Sequence, residues 1–258
     1  MLRVERSRGV SIWTLDRPES KNALGKAALD ALSSAVDHAE REPGLRAIVL
    51  TGAGKTFSAG ADLREARDIV TASDAGRFSD LGEAILARFE ALPFPVIAAI
   101  PGVAFGGGAE LALACDMRVA DARAKISFKQ ARMGVSTAWG TLARLLSIVG
   151  HGTAMRLLTT GHEIAAMEAR VLRLVDHVTE EDGEALALAL AWASDIEQGS
   201  PGAVAALKAL VVEGRRALYD RVRPEERARF VETWTSADHR DAVDAYFERR
   251  APRWVGPG

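Results

Sequence analysis

Cysteine is nearly absent: Cys115 is the only one in 258 residues. No intramolecular disulfide can form. This fits a reducing cytosol, so a cytoplasmic location is expected. Cys115 lies in the apolar run LALACDMRVA and reads as a small buried hydrophobe. Histidine is sparse and scattered (His38, His151, His162, His177, His239), with no HxH or HxxxH spacing. No metal site is expected. Charge of one sign is lacking too, the formal net charge being −2. Without a basic stripe, no nucleic-acid partner is expected. The N-terminus is charged from Arg3 and has no apolar stretch of the signal-peptide kind. One uncharged run, Ala91 to Ala109, is about long enough to cross a bilayer. Three prolines (Pro93, Pro95, Pro101) and four glycines break it. It reads as a buried strand followed by a glycine turn, and no membrane partner is expected.

What is present is apolar residue, 48% of the chain, enough for one large domain or a domain with an appendage. RVERS and VSIWTL read as strands turning at Arg8-Gly9. GKAALDALSSAVDHAERE has helical spacing of apolar residues. RAIVLTG and FPVIAAI read as buried strands, and DAGRFSDLGEAILARFEAL as a helix with Ser73 as N-cap. GGGAELALAC begins a helix, MRVA and AKISF read as strands, and GTLARLLSIVG as another helix. Strand and helix thus alternate, which argues an α/β fold with a largely parallel sheet. From Gly150 onward the pattern is helix upon helix, with breaks expected at Gly150, Gly161 and Gly199 and between Gly214 and Pro224. The expected division is a core over 1–195 and a C-terminal helical region over 196–258.

Two junctions share one logic, IVLTGAGKTFSAGADL and VIAAIPGVAFGGGAEL. Each leaves a buried strand, passes through small residues, and meets an acid near the start of the next segment. Small residues there let main chain approach a ligand. A helix N-terminus offers unpaired N–H groups and partial positive charge, and two such ends aimed at one point can hold an oxyanion. The alternative is ordinary tight packing. Neither junction is a nucleotide loop: GKT is present at Gly54–Thr56, but the required upstream glycine position is Val49.

With LDRPESKNAL upstream, at Leu15–Leu24, these junctions resemble the crotonase, or enoyl-CoA hydratase/isomerase, superfamily. The resemblance runs through FSAGADL and GGGAEL to the closing DAVDAYFERRAPRW. It implies a spiral of ββα units followed by helices. It also implies an acyl-CoA thioester substrate, no separate cofactor, and assembly as a homotrimer or dimer of trimers. Carried over by position, the oxyanion-hole donors fall on the N–H groups of Ala61 and Gly107. Substrate and coenzyme A contacts fall on Lys21, Ala23, Ala59, Asp62, Leu63, Gly106 and Trp139. The Asp62 side chain itself is expected to cap the following turn.

The resemblance casts Glu110 as the catalytic acid/base; the plainer alternative is a helix N-terminal acid. Hydratases of the family usually add a second glutamate in a segment like F-G-x-P-E-x-x-L-G. The corresponding ISFKQARMG places Gln130 there. An amide orients water or a carboxylate but shuttles no proton at neutral pH. STAWGT then brings Trp139 toward the acyl end. These departures are similar to the branch containing ethylmalonyl- and methylmalonyl-CoA decarboxylases. Hydration, decarboxylation and double-bond isomerisation therefore stay open, as does a catalytically silent acyl-CoA-binding subunit. Asp116 reads as structural, and Arg249 and Arg250 as a solvated face or contacts to coenzyme A phosphates.

Overall fold

A computed structural model describes residues 1–255. In chain order the strands are β1 (Leu2–Ser7), β2 (Val10–Leu15), β3 (Ala47–Gly52), β4 (Thr56–Ser58), β5 (Val96–Ile100), β6 (Val103–Phe105), β7 (Met117–Ala120), β8 (Lys125–Ser127), β9 (Ile164–Ala165) and β10 (His177–Val178). The larger sheet runs β1-β2-β3-β5-β7-β10 and the smaller β4-β6-β8-β9. Only one edge pair of each sheet, β1 with β2 and β8 with β9, is antiparallel. From β3 to β8 the chain alternates strictly between the sheets, so each turn of the path is strand, short strand, helix.

The helices are α1 (Lys26–Arg41), α2 (Leu63–Ala66), α3 (Ala72–Ala91), α4 (Gly107–Ala114), α5 (Thr141–Thr160), α6 (Ala166–Val171), α7 (Ala185–Glu197), α8 (Pro201–Trp234) and α9 (Ala237–Glu248). Every residue of β3 and β5 is buried, because both faces of the larger sheet are covered. Side chains alternate along each strand. Ile48, Leu50, Val96, Ala98 and Ile100 enter the main core, while Ala47, Val49, Ile97 and Ala99 enter a second core under α7. Ala185, Ala189 and Ala193 make the α7 stripe that lies on this second face. Helix α8 packs on α3 and α5 and lends Phe230 and Trp234 to the main core.

Several details differ from the sequence reading. The N-cap of α3 is Thr71, whose Oγ1 accepts from the Asp74 N–H at 3.1 Å. Ser73 lies inside the helix and accepts from Arg77. The break expected at Gly150 is present: its φ of 72° and ψ of 172° are non-helical and kink α5 there, a conformation that costs glycine little. In contrast, Gly214 and Pro224, expected to separate two helices, both lie within α8. Proline removes one helical bond there, but buried Tyr219, Glu226, Phe230 and Trp234 on both sides hold the helix through it. Strands β4 and β6 were not expected; three residues are too few for a period-2 pattern. Among the described residues no helix is long and apolar enough to cross a membrane. Residues 256–258 of the expected C-terminal region lie outside the described ones.

Candidate active site

The two small-residue junctions lie against each other. Gly60 has φ 96°, and a Cβ there would meet Phe105 O at 2.7 Å and Gly107 N at 3.0 Å. A Cβ on Gly108 would collide with the Ser58 carbonyl. Glycine is therefore required because one junction's backbone touches the other's. Ser58 Oγ closes the arrangement by donating to Asn22 O at 2.9 Å and accepting from the Gly60 N–H at 3.1 Å.

This contact places Gly107 N, at the first position of α4, beside Ala61 N. A Cβ built on Gly107 would lie 3.6 Å from Ala61 N and 3.1 Å from the Trp139 ring. Neither N–H is used within the described chain. Around Ala61 the bonds are made by its neighbours, Leu24 N–H to Gly60 O at 2.7 Å and Asp62 N–H to Leu24 O at 3.2 Å. At the start of α4, the Gly106 N–H donates to Ser127 O at 2.9 Å. Two neighbouring N–H groups without partners in the described chain are chemically suited to hold an oxygen atom, and the helix end adds partial positive charge.

Glu110 follows Gly107 by three residues, so both lie on one face of α4. It is 4% exposed, not a surface acid. Its Oε1 accepts from the Ala138 N–H at 3.0 Å. Burial pushes its pKa up to about 8, against that hydrogen bond, and the nearby Glu226 carboxylate adds to the rise. Gln130 opens a 3-10 turn (Gln130–Met133) after β8 and is 8% exposed. It and Thr141 stand beside Glu110 and favour its charged form, yet neither side chain reaches a full hydrogen bond with any described residue. The Trp139 indole lies over Gly82 of α3 and Gly107 of α4, 5.7 Å centroid to centroid from Phe78.

Beyond Ala61 opens a cleft of about 530 Å³, walled by Leu24, Ile69, Phe78, Leu81 and Trp234. Asp62 lines it as well. Its Oδ1 accepts from the Arg64 N–H at 3.1 Å, capping α2, and its Oδ2 pairs with Arg17 at 3.3 Å. Lys26 and Arg77, the cations of the cleft, are already paired with Asp30 and Asp74. Lys21 adjoins Ala59 through the Ala59 N–H, which donates to Lys21 O at 2.9 Å. Of the residues expected at the site, Ala61 and Asp62 line the cleft; Lys21, Ala23, Ala59, Leu63, Gly106, Gly107, Glu110, Gln130 and Trp139 do not. Arg250 is held by Asp241 at 2.6 Å and by Glu248, and it draws the Asp241 pKa down to about 2. Asp116 is structural: it accepts from the Val96 N–H at 2.7 Å and pairs with Lys208 at 2.8 Å. Cys115 is buried, and burial pushes its thiol pKa up to about 12. Among the described residues no group of three metal-ligating side chains forms.

The family model described as enoyl-CoA hydratase/isomerase matches residues 5–257. The chain belongs to this family. It is 34% identical over 247 residues to a probable enoyl-CoA hydratase of Bacillus subtilis (strain 168), covering 96% of this chain and 95% of that protein. It is also 34% identical over 248 residues to a short-chain-enoyl-CoA hydratase of Clostridium acetobutylicum, with 96% and 94% covered. Among solved structures, an enoyl-CoA hydratase/isomerase from Pseudoalteromonas atlantica T6c superposes with a TM-score of 0.87 at 29% identity, covering 98% of this chain and 99% of that one. The α/β spiral with a helical C-terminal region is thus a crotonase fold, and the family implies an acyl-CoA substrate.

Within this crotonase-type site, sequence reading missed the rear wall. Phe78, Leu81 and Trp234 come from α3 and α8, outside the motif-bearing segments, and only the apolar spacing of their helices marks them as inward-facing. It also missed Glu226, whose burial pushes its pKa up to about 7. Two raised carboxyl groups make a pH signature. Above the ordinary glutamate value of 4.5 the unfolded chain releases protons that the folded chain keeps, up to about 7 at Glu226 and about 8 at Glu110. Stability from these groups is complete at low pH and is lost as pH rises through that window. The melting temperature is expected to be higher at about pH 5.5 than at about pH 8, with a smaller difference in Glu110→Gln. Differential scanning calorimetry at the two pH values checks this.

Proposed function

We propose that the protein is an acyl-CoA lyase of the enoyl-CoA hydratase type, polarising a thioester with the Ala61 and Gly107 N–H groups. The observation that carries this reading is the pair of free main-chain donors beside a buried carboxyl. Negative charge grows on the thioester oxygen as the enolate forms, and donors already aimed at it favour that state over the ground state. One such donor is worth about 3–4 kcal/mol. Glu110, protonated in most molecules at neutral pH, delivers the proton to the α-carbon. The hydratase names of the relatives support water addition across a 2-enoyl thioester.

A second reading is favoured by Gln130. Hydration also requires a base to take a proton from water. The amide of Gln130 offers none, and the protonated Glu110 is already the acid. Decarboxylation of a short alkylmalonyl-CoA needs no such base. The bond to the carboxyl carbon breaks, carbon dioxide leaves, and the electron pair enters the thioester enolate. Glu110 then protonates the α-carbon. The unpartnered amide N–H of Gln130 suits the departing carboxylate, where a second glutamate would repel it.

One assay separates these. Purified protein is offered crotonyl-CoA and, separately, methylmalonyl- and ethylmalonyl-CoA, following enoyl absorbance and carbon dioxide release. Hydration without gas release supports the first reading and rejects the second; gas release without hydration does the reverse. Gln130→Glu is expected to gain hydration and lose decarboxylation. No turnover of any thioester by the wild type would reject both.

A further inference from the structure

We infer that Glu226, on the C-terminal helix α8, is a positioning residue for the acyl end of the site. Its Oε1 accepts from Thr137 Oγ1 at 2.7 Å and from the Leu142 N–H at 2.8 Å. Those residues bound the segment that carries Ala138 and Trp139. Ala138 donates its N–H to Glu110, and Trp139 covers the space before Gly107. One carboxylate oxygen thus ties both ends of the stretch that orients the working acid and roofs the donor pair.

The segment needs such a tie. Trp139 has φ 60° and Gly140 φ 73°, two successive left-handed residues. The bulky one is unfavourable there unless its surroundings hold it. Arg144 on α5 helps by donating to the Trp139 carbonyl. Arg144 is wholly buried and is fixed by Glu90 of α3 through its Nε at 2.6 Å. It also faces Glu226 and favours its charged form, while Glu83 of α3 and Glu110 of α4 oppose it. Glu83 is itself engaged by Arg223 at 2.5 Å and the Tyr219 hydroxyl at 3.2 Å. Glu226 is 6% exposed and joins α8 to this network across more than eighty residues of sequence.

The inference rests on the reading of Glu110 as the proton donor, so its test carries a readout independent of turnover. Glu226→Gln keeps an acceptor oxygen and removes the charge; Glu226→Leu removes both. Glu226→Leu is expected to lose at least about tenfold in kcat, and Glu226→Gln to recover to within about threefold of wild type. In infrared spectra the Glu110 carboxyl band is assigned by its loss in Glu110→Gln. Its titration midpoint is expected to fall in Glu226→Gln, where the negative neighbour is gone. Should Glu226→Leu not fold, Thr137→Val removes one tie alone and is expected to lower kcat in the same direction. Wild-type kcat in the folded Leu or Val variant, with an unmoved Glu110 titration, would overturn the assignment. If the wild type turns over no thioester, the activity reading fails while the infrared titration still decides the link.

Discussion

Glu110→Gln is expected to lose about 10²–10⁴-fold in kcat and to fold normally. The amide keeps an oxygen for the Ala138 N–H, so the local hydrogen bond survives. What it loses is the proton that burial holds on the carboxyl up to about pH 8. The same substitution leaves the binding donors untouched, so KM for the thioester is expected to change little. In the wild type, kcat is expected to fall above about pH 8 as the acid ionises. Steady-state kinetics across pH, with melting curves for both proteins, provide the check. Unchanged kcat in a folded Glu110→Gln would remove Glu110 from the chemistry and leave a binding subunit as the better description.

Gly107→Pro should be almost as damaging for a different reason. Gly107 is the first residue of α4, where proline's φ is tolerated and no helical bond is lost. The substitution deletes one of the two free N–H groups and puts ring carbon in its place. A loss of about 10²–10³-fold in kcat is expected, with thermal stability nearly retained. Gly107→Ala is the control. It adds a Cβ 3.1 Å from the Trp139 ring but keeps the N–H. If alanine costs as much as proline, crowding against Trp139 explains the loss and the donor does not.

Much of this was legible from residue type in order. FSAGAD and GGGAEL announced two close main-chain approaches, because only small residues permit them. Asp62 was readable as a cap, since a carboxylate before a short helix has a ready local partner. Glu110 was singled out in the sequence, but its depth was not legible: an acid three residues into a helix reads equally well as surface. Local signals failed where distant packing decided the outcome. The cap expected at Ser73 and the break expected before Pro224 each follow local preference; Thr71 captured the first, and buried neighbours carried the helix through Pro224. Glu226 had no signature at all. It lies in PEERARF, an apparently solvated charged face, and its partners at 137 and 142 meet it only in the folded chain.

The contact of Gly60 with Gly107 has a consequence for how such a protein can diversify. The spacing of the donor pair is set where two coils of one spiral touch main chain to main chain, so almost no side-chain replacement elsewhere can retune it. The wall opposite is assembled from three separate pieces, α3, the Trp139 segment and α8. Selection for a new acyl group would therefore act on a replaceable lining around an invariant socket.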